Sequence, residues 1–442
     1  MRLRLSSVQL ALSKLTAIPQ VPAMPKVTVM VTALLLSLPA VLLVVMPRRT
    51  ATGLDRLLAE AALLQSFAVR PTEPPPQLWQ QRLGAVQAQR LWQSQRRLWW
   101  QFWGPHGDAG AYLVLALPAS QPLPPGSLRV DDLVVQAPSP LARQLLEQQL
   151  NLRRRAPRGL DQRCSQTLRE REAVHWNGVA LAQMLGPLAP FALSVQEGCV
   201  QFSSQGKALL WHGEADAVSG SLSTAPSPLS IPASAPLSSP LLLQWRGQHL
   251  DLLLRGVLQS RLLRQSLAEQ YGLGPQQLRL LERAAFQLTL QAVATGPFQA
   301  ALHLQLQLPQ ASSRWSDWLG DLSHGLERQG LEPNRSIAGL TTWSREGDGL
   351  VLGGWRWLPA GQLLFFLGPT PPSPKLGSAS APLQPLATEL SWQLRLRPRA
   401  LDAQGLLPEQ LPLVVQRADQ LLLESQASGA SQASLAGRLD LP

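Results

Sequence analysis

The feature that most constrains this chain is "VTVMVTALLLSLPAVLLVVM", a run of twenty residues from Val27 to Met46 without a charge. At 1.5 Å per helical residue such a run matches the roughly 30 Å hydrocarbon layer of a bilayer. Lys26 precedes it and Arg48 and Arg49 follow it. Pro39 lies inside it, which membrane helices tolerate. A cleaved leader has a shorter apolar core and a small-residue cleavage site. Here the core is long, and Thr50, Ala51 and Thr52 make a poor site. The segment therefore reads as an uncleaved transmembrane helix. Arg2, Arg4, Lys14 and Lys26 before it are weighed against Arg48, Arg49 and Arg56 after it. The expectation is an N-terminus inside and everything after Pro47 extracytoplasmic.

The rest of the 442 residues must form a folded region. Hydrophobic residues make up 45% and charged residues only 15%, and disordered chains have the opposite balance. The net charge of +11 is carried mainly by scattered arginines. The tight runs are Arg48-Arg49, Arg96-Arg97 and Arg153-Arg154-Arg155; Arg96, Arg97 and the nearby tryptophans could imitate the aromatic-lined basic groove that single-stranded nucleic acid requires, against the plainer reading of scattered, solvated arginines. Membrane lipid at the anchor and a protein or lipid partner are the expected contacts, and nucleic acid is not.

Periodicity outlines the elements. "TGLDRLLAEAALLQSFAVR" has Leu54, Leu57, Leu58 and Ala61 at helical spacing behind Thr52 as a cap. "PTEPPP" then breaks the chain, and residues 78–95 read as one helix with Trp79, Leu83 and Val86 on a stripe. "RRLWWQFWGPHGDAG" and the following "AYLVLALP" read as a β-hairpin with His106 and Asp108 at its turn. Over 286–309, Phe298, Ala300, Leu302, Leu304 and Leu306 alternate with Gln299, Ala301, His303, Gln305 and Gln307. That is a hairpin with an apolar face and a polar face, and it puts His303 in solvent. Residues 350–368 predict a hairpin turning at Pro359-Ala360-Gly361, and 419–441 another. Residues 313–330 predict an amphipathic helix burying Trp315, Trp318, Leu319, Leu322 and Leu326 and stopped by Gly330.

"HWNGVAL" (175–181) and "QWRGQHL" (244–250) share W-x-G-x-x-L, and "LSWQLRL" (390–396) keeps the tryptophan. Each precedes a strand pair, at 191–211, 286–308 and 419–441, which suggests related α+β units each anchored by its tryptophan. The expected organisation is an N-terminal tail (1–26), the transmembrane helix (27–46), a first α+β region (47–218), a Ser/Pro/Ala-rich linker (219–240), a second α+β region (241–368), a Pro/Ser-rich linker (369–385) and a C-terminal α+β segment (386–442).

No phosphate-binding glycine loop and no nucleophile elbow occur. Cys164 and Cys199 show no zinc spacing, and form either a disulfide or two buried thiols. His175 and His249, beside the anchoring tryptophans, read as residues at the rim of a core. "WHGEAD" (211–216) alternates His212, Glu214 and Asp216 onto one face of a strand, a weak cluster. Asn334 begins a formal glycosylation sequon. The sequence assigns no catalytic, cofactor-binding or metal-binding residue. With its N-terminal span, the "GLEP...IAGLTTW" region (330–343) and its terminal β segment, the chain resembles uncharacterised membrane-anchored proteins of cyanobacteria. That resemblance implies an anchor followed by Leu/Gln/Trp-rich α+β repeats, and no activity. The resulting expectation is a membrane-anchored, non-enzymatic extracytoplasmic protein with a binding or structural role in the envelope or an internal membrane. The alternative is a tethered lipid or apolar-ligand binder, with Phe286, Leu288, Leu302 and Leu304 lining a cavity.

Overall fold

The computed structural model describes residues 50–104, 110–152, 156–185, 197–216, 236–251, 254, 261–308, 312–337, 339–345, 347, 349–371, 383, 386–387, 390–407, 413–427 and 432–442. Residues from Ala51 onward form one compact unit. The apolar run Val27–Met46, the turn with His106 and Asp108, and most of the two linkers lie outside the described residues.

Four short units share one plan: a strand, a helical connection, then a hairpin whose first strand pairs antiparallel with the opening strand. The first follows helix α1 (Leu54–Leu58) and comprises β1 (Leu63–Phe67), helices α2 (Gln77–Leu83) and α3 (Ala85–Ser94), and the pair β2 (Trp99–Trp103) and β3 (Tyr112–Ala116). An extension follows, made of β4 (Ser127–Val130), β5 (Leu133–Gln136), α4 (Pro140–Leu150) and α5 (Leu160–Glu170). The second unit is β6 (Ala173–Asn177), α6 (Gly178–Leu185), β7 (Glu197–Gln205) and β8 (Ala208–Asp216).

The third is β9 (Leu241–Gly247), α7 (Arg261–Tyr271), α8 (Pro275–Glu282), β10 (Ala285–Ala292) and β11 (Ala300–Gln307). Its extension is α9 (Ser312–Glu327) with β12 (Leu331–Ile337), β13 (Leu340–Arg345), β14 (Val351–Leu358) and β15 (Gln362–Leu367). The fourth is β16 (Leu390–Leu396), α10 (Pro398–Ala403), α11 (Leu413–Gln416), β17 (Gln420–Ala427) and β18 (Gln432–Asp440).

All eighteen strands join one sheet, and each recorded pairing is antiparallel. Followed by hydrogen bonding, the order is β4-β5-β3-β2-β1-β6-β7-β8-β18-β17-β16-β9-β10-β11-β15-β14-β13-β12. The chain is thus built as two halves of the same topology. In each half two units meet through their opening strands, β1 against β6 and β9 against β16. In each half the extension returns to pair with the first hairpin, β5 on β3 and β15 on β11. The halves are sewn together along β8 and β18.

This corrects the expected fold class. Helix and strand content is mixed, but the strands do not form the separate hairpin units of the expected α+β fold, and the expected transmembrane helix 27–46 lies outside the described residues. The strands form one continuous eighteen-strand sheet, and among the described residues no helix is long and apolar enough to cross a membrane. Local sequence sets each hairpin, whereas pairings such as β9 with β16 join positions about 150 residues apart and leave no local trace. The opening strand β1, "LLQSF", carries no tryptophan, so that unit escapes the tryptophan pattern.

Three local expectations also change. Gly84 takes φ 76°, ψ 153° and splits the helix expected over 78–95, so Val86 points into solvent while Ala88, Leu91 and Trp92 are buried with Trp79. The helix after Gly53 stops at Leu58, because Leu63–Phe67 joins the sheet. Of the three anchoring tryptophans only Trp245 is fully buried; Trp176 and Trp392 pack partly exposed around Val200, Ala215 and Leu435. The glycine of "QWRG", Gly247, has a physical role: the Phe286 ring crosses it so closely that a Cβ would collide. The hairpins β10–β11, β14–β15 and β17–β18 and the helix α9 stand where the sequence pattern puts them.

In the first half both sheet faces are covered. Helices α1, α4 and α5 pack on Leu64, Trp100, Phe102, Tyr112, Val114 and Val135. Helices α2 and α3 pack on Trp99, Leu113, Leu115 and Val134 from the other side. In the second half Trp315, Trp318 and Leu319 of α9 and Leu281 of α8 cover Trp245, Phe286, Leu306, Trp355 and Leu363. The opposite face of that half is polar. Gln305, Gln287, Arg246, Gln393 and Glu424 stand in register across five strands.

Candidate functional site

The candidate site lies where α5 crosses β6, β7 and β8. On α5, Leu160, Cys164 and Leu168 recur at i, i+4 and i+8 and bury against the sheet. Asp161, in the first turn, sits at the rim of that stripe, over the strand ends. On β6, alternation sends Ala173 and His175 inward. Register then places Cys199 of β7 opposite His175, and Glu197 opposite Asp216 of β8. One patch of sheet therefore carries His175, Glu197, Cys199, Glu214 and Asp216 beneath Asp161, Arg163 and Cys164.

A disulfide between Cys164 and Cys199 ties α5 to β7, with a Cα–Cα distance of 5.6 Å. It resolves the alternative left open by the sequence. The sulfurs are one helical turn from Asp161 and two residues from Glu197.

His175 is 1% exposed. Its Nε2 lies 3.1 Å from Glu197 Oε1 and 4.0 Å from Asp161 Oδ1. Its Nδ1 is shut from solvent and has no hydrogen-bond partner. Asp161 Oδ1 is likewise buried without a donor. Burial first, and then the facing Glu197 carboxylate, push the Asp161 carboxyl up to about 6. Asp216 is raised by burial and by Glu197. The hydrogen bond from His175 holds Glu197 below the ordinary carboxylate value. The nearby cation, Arg163, is bound to Glu214 through Nε at 3.0 Å.

These shifts have opposite effects on stability. Asp161 binds its proton more tightly folded than unfolded, so its contribution is present at pH 4 and lost as pH rises through about 6. Glu197, depressed, contributes at neutral pH and loses that contribution in acid. In metal-free buffer, thermal melts of Asp161→Asn against the parent should therefore show the variant gaining relative stability between pH 4 and 7. A difference independent of pH would mean that Asp161 is not crowded as described.

Sequence reasoning singled out neighbours of this site but not the site. The alternation expected for "WHGEAD" holds, with His212, Glu214 and Asp216 on one face. Asp216 reaches the cluster, Glu214 engages Arg163, and His212 bonds Gln201 instead. His175 is not at the rim of a core but fully inside. His303 is not solvated; its Nε2 is buried, and burial lowers its pKa. Asp161, His175 and Glu197 are separated by 14 and 22 residues on three elements, a spacing with no local signature. The cysteine pair was the available signal, since it marks where α5 meets β7.

A second polar group lies on the far half. Arg246 donates to Gln393 Oε1 at 2.5 Å, and Gln393 donates to Glu424 Oε1 at 2.5 Å. Glu424 is 2% exposed, and burial raises its pKa. These hydrogen bonds run across three neighbouring strands, while Arg246 Nε is buried without a partner. An open cleft of about 330 Å³ lies between α9 and β12–β14, lined among others by Leu319, Leu340, Trp355 and Trp357.

No protein-family profile, curated protein or solved structure matches the chain.

Proposed function

We propose that this chain is a membrane-tethered extracytoplasmic scaffold with a binding or structural task rather than a catalytic one. The observation that carries this reading is the buried disulfide Cys164–Cys199. Disulfides form and persist in oxidising compartments and are rare in reducing ones. The uncharged run Val27–Met46, close before the folded region, supports attachment to the membrane with residues after Pro47 on the oxidising side. The continuous sheet supports a scaffolding role: its strands join into one extended frame on which the helices pack. Of Phe286, Leu288, Leu302 and Leu304, the first, second and fourth belong to the core cluster with Leu281, Trp315 and Trp318, which supports the scaffold reading. The reading as a tethered apolar-ligand binder is favoured instead by the cleft beside α9, whose walls include two tryptophans.

Full-length protein in native membranes should resist extraction by alkali and high salt, and a form lacking Val27–Met46 should not. Its cysteines should react with a thiol probe only after reduction. Free thiols in intact cells, or release by salt, would overturn the proposal. Extraction in mild detergent with identification of co-purifying molecules separates the two readings: a stoichiometric protein supports the scaffold, a stoichiometric lipid the ligand binder.

A further inference from the structure

We infer that Asp161, His175 and Glu197 form a binding site for one divalent transition-metal ion, with Asp216 at its margin. Each residue offers one ligand atom, and those atoms lie within 4.8 Å of one another. Around a tetrahedral zinc ion with bonds of about 2.0–2.1 Å, neighbouring ligand atoms stand roughly 3.3–3.5 Å apart. The Nε2–Oε1 and Nε2–Oδ1 separations of 3.1 and 4.0 Å bracket that value. Closing the site needs only a small inward movement of Asp161, whose side chain is 41% exposed.

The cluster is more than a set of surface acids. Its imidazole is almost wholly buried, makes no hydrogen bond outside the cluster, and directs Nε2 between two carboxylates. A buried polar atom without a donor, Asp161 Oδ1, faces the same point. The local charge is one-sided: three carboxylates surround a single imidazole, while Arg163 is engaged by Glu214. A dication at the cluster would add to the positive charge that Arg163 brings to Asp216.

The donor set selects the ion. Imidazole nitrogen suits zinc and neighbouring transition ions, and carboxylates complete a mixed N/O sphere. The two nearby sulfurs are bound to each other and cannot serve as thiolate ligands. Their bond has another part: it fixes α5 against β7, so the donors from helix and strand are held near their final separation before metal arrives. Half-exposed Asp161 and Glu197 leave one side open to water, as in zinc sites that keep a free position.

Full-length protein in detergent, stripped with a chelator and desalted, should take up one equivalent of zinc, measured by atomic emission, with a rise in melting temperature. Manganese should bind more weakly, and magnesium and calcium should give no shift at the same concentration. Asp161→Asn and Glu197→Gln should each weaken zinc binding at least tenfold while melting cooperatively in chelator. His175→Gln should abolish binding; if it fails to fold, the two carboxylate variants decide. Retained affinity in both of those variants, or no uptake by the parent protein, would overturn the inference. His212→Gln, which alters a neighbouring histidine outside the cluster, should leave zinc affinity unchanged; loss of binding there would place the metal elsewhere.

Discussion

Replacing Trp99 with alanine should destabilise the folded region by about 3–5 kcal/mol, the usual range for a large buried aromatic. Trp99 is 4% exposed and stacks on Phe67 with ring centroids 4.3 Å apart. It also meets the edges of Trp79 and Trp92 at 5.8 and 6.5 Å. Truncation opens a hole between β2 and the helix pair α2–α3, and neither rigid element can collapse into it. Trp103, on the same strand but only partly buried, should cost clearly less. Denaturant melts of the two variants give the comparison. If Trp99→Ala melted like the parent but lost binding to lipid vesicles, the aromatic cluster would be a membrane-facing surface and the packing described for it would be wrong.

Removing the disulfide should have an effect of similar size. The bond closes a loop between cysteines 35 residues apart, and loop-closure entropy for that length is worth about 4 kcal/mol. Both cysteines are buried, so serine would add the cost of an unsatisfied hydroxyl; Cys164→Ala with Cys199→Ala isolates the cross-link. The double variant and the reduced parent should show the same lowered denaturant midpoint. An unchanged midpoint in both would show that helix α5 is held by its apolar stripe alone.

Local chemistry was legible in this sequence and global pairing was not. The alternation of leucine and glutamine from Ala300 to Gln307 defines β11 and its polar face without ambiguity, because period two has one structural solution. The Trp/Leu stripe of α9 and Gly330 after it are equally direct. "LLAEAALLQSF" is different: its leucines fit a helix, and only pairing with β2 and β6 turns Leu63–Phe67 into strand. The repeat was visible as three tryptophans, yet the unit whose opening strand lacks one was missed. What makes the units equivalent is where each opening strand pairs, and that depends on residues far away in the chain. The candidate site failed to show for the same reason. His175 looked like a residue beside a tryptophan; register, not spacing, sets Glu197 and Asp216 beside it.

An open sheet of this length also has a problem of termination. Among the described strands its two free borders are β4 and β12, and an unpaired border is a template on which another molecule can add a strand. Both are poorly made for that. β4 has four residues, one of them Arg129. β12 reads "LEPNRSI": Pro333 has no amide hydrogen to offer, and Glu332 and Arg335 bring charge to the rim. Among the described residues the sheet thus ends at β4 and β12. Concentrated solutions should stay free of edge-to-edge fibres, which leaves contact with other molecules to surfaces other than the sheet borders.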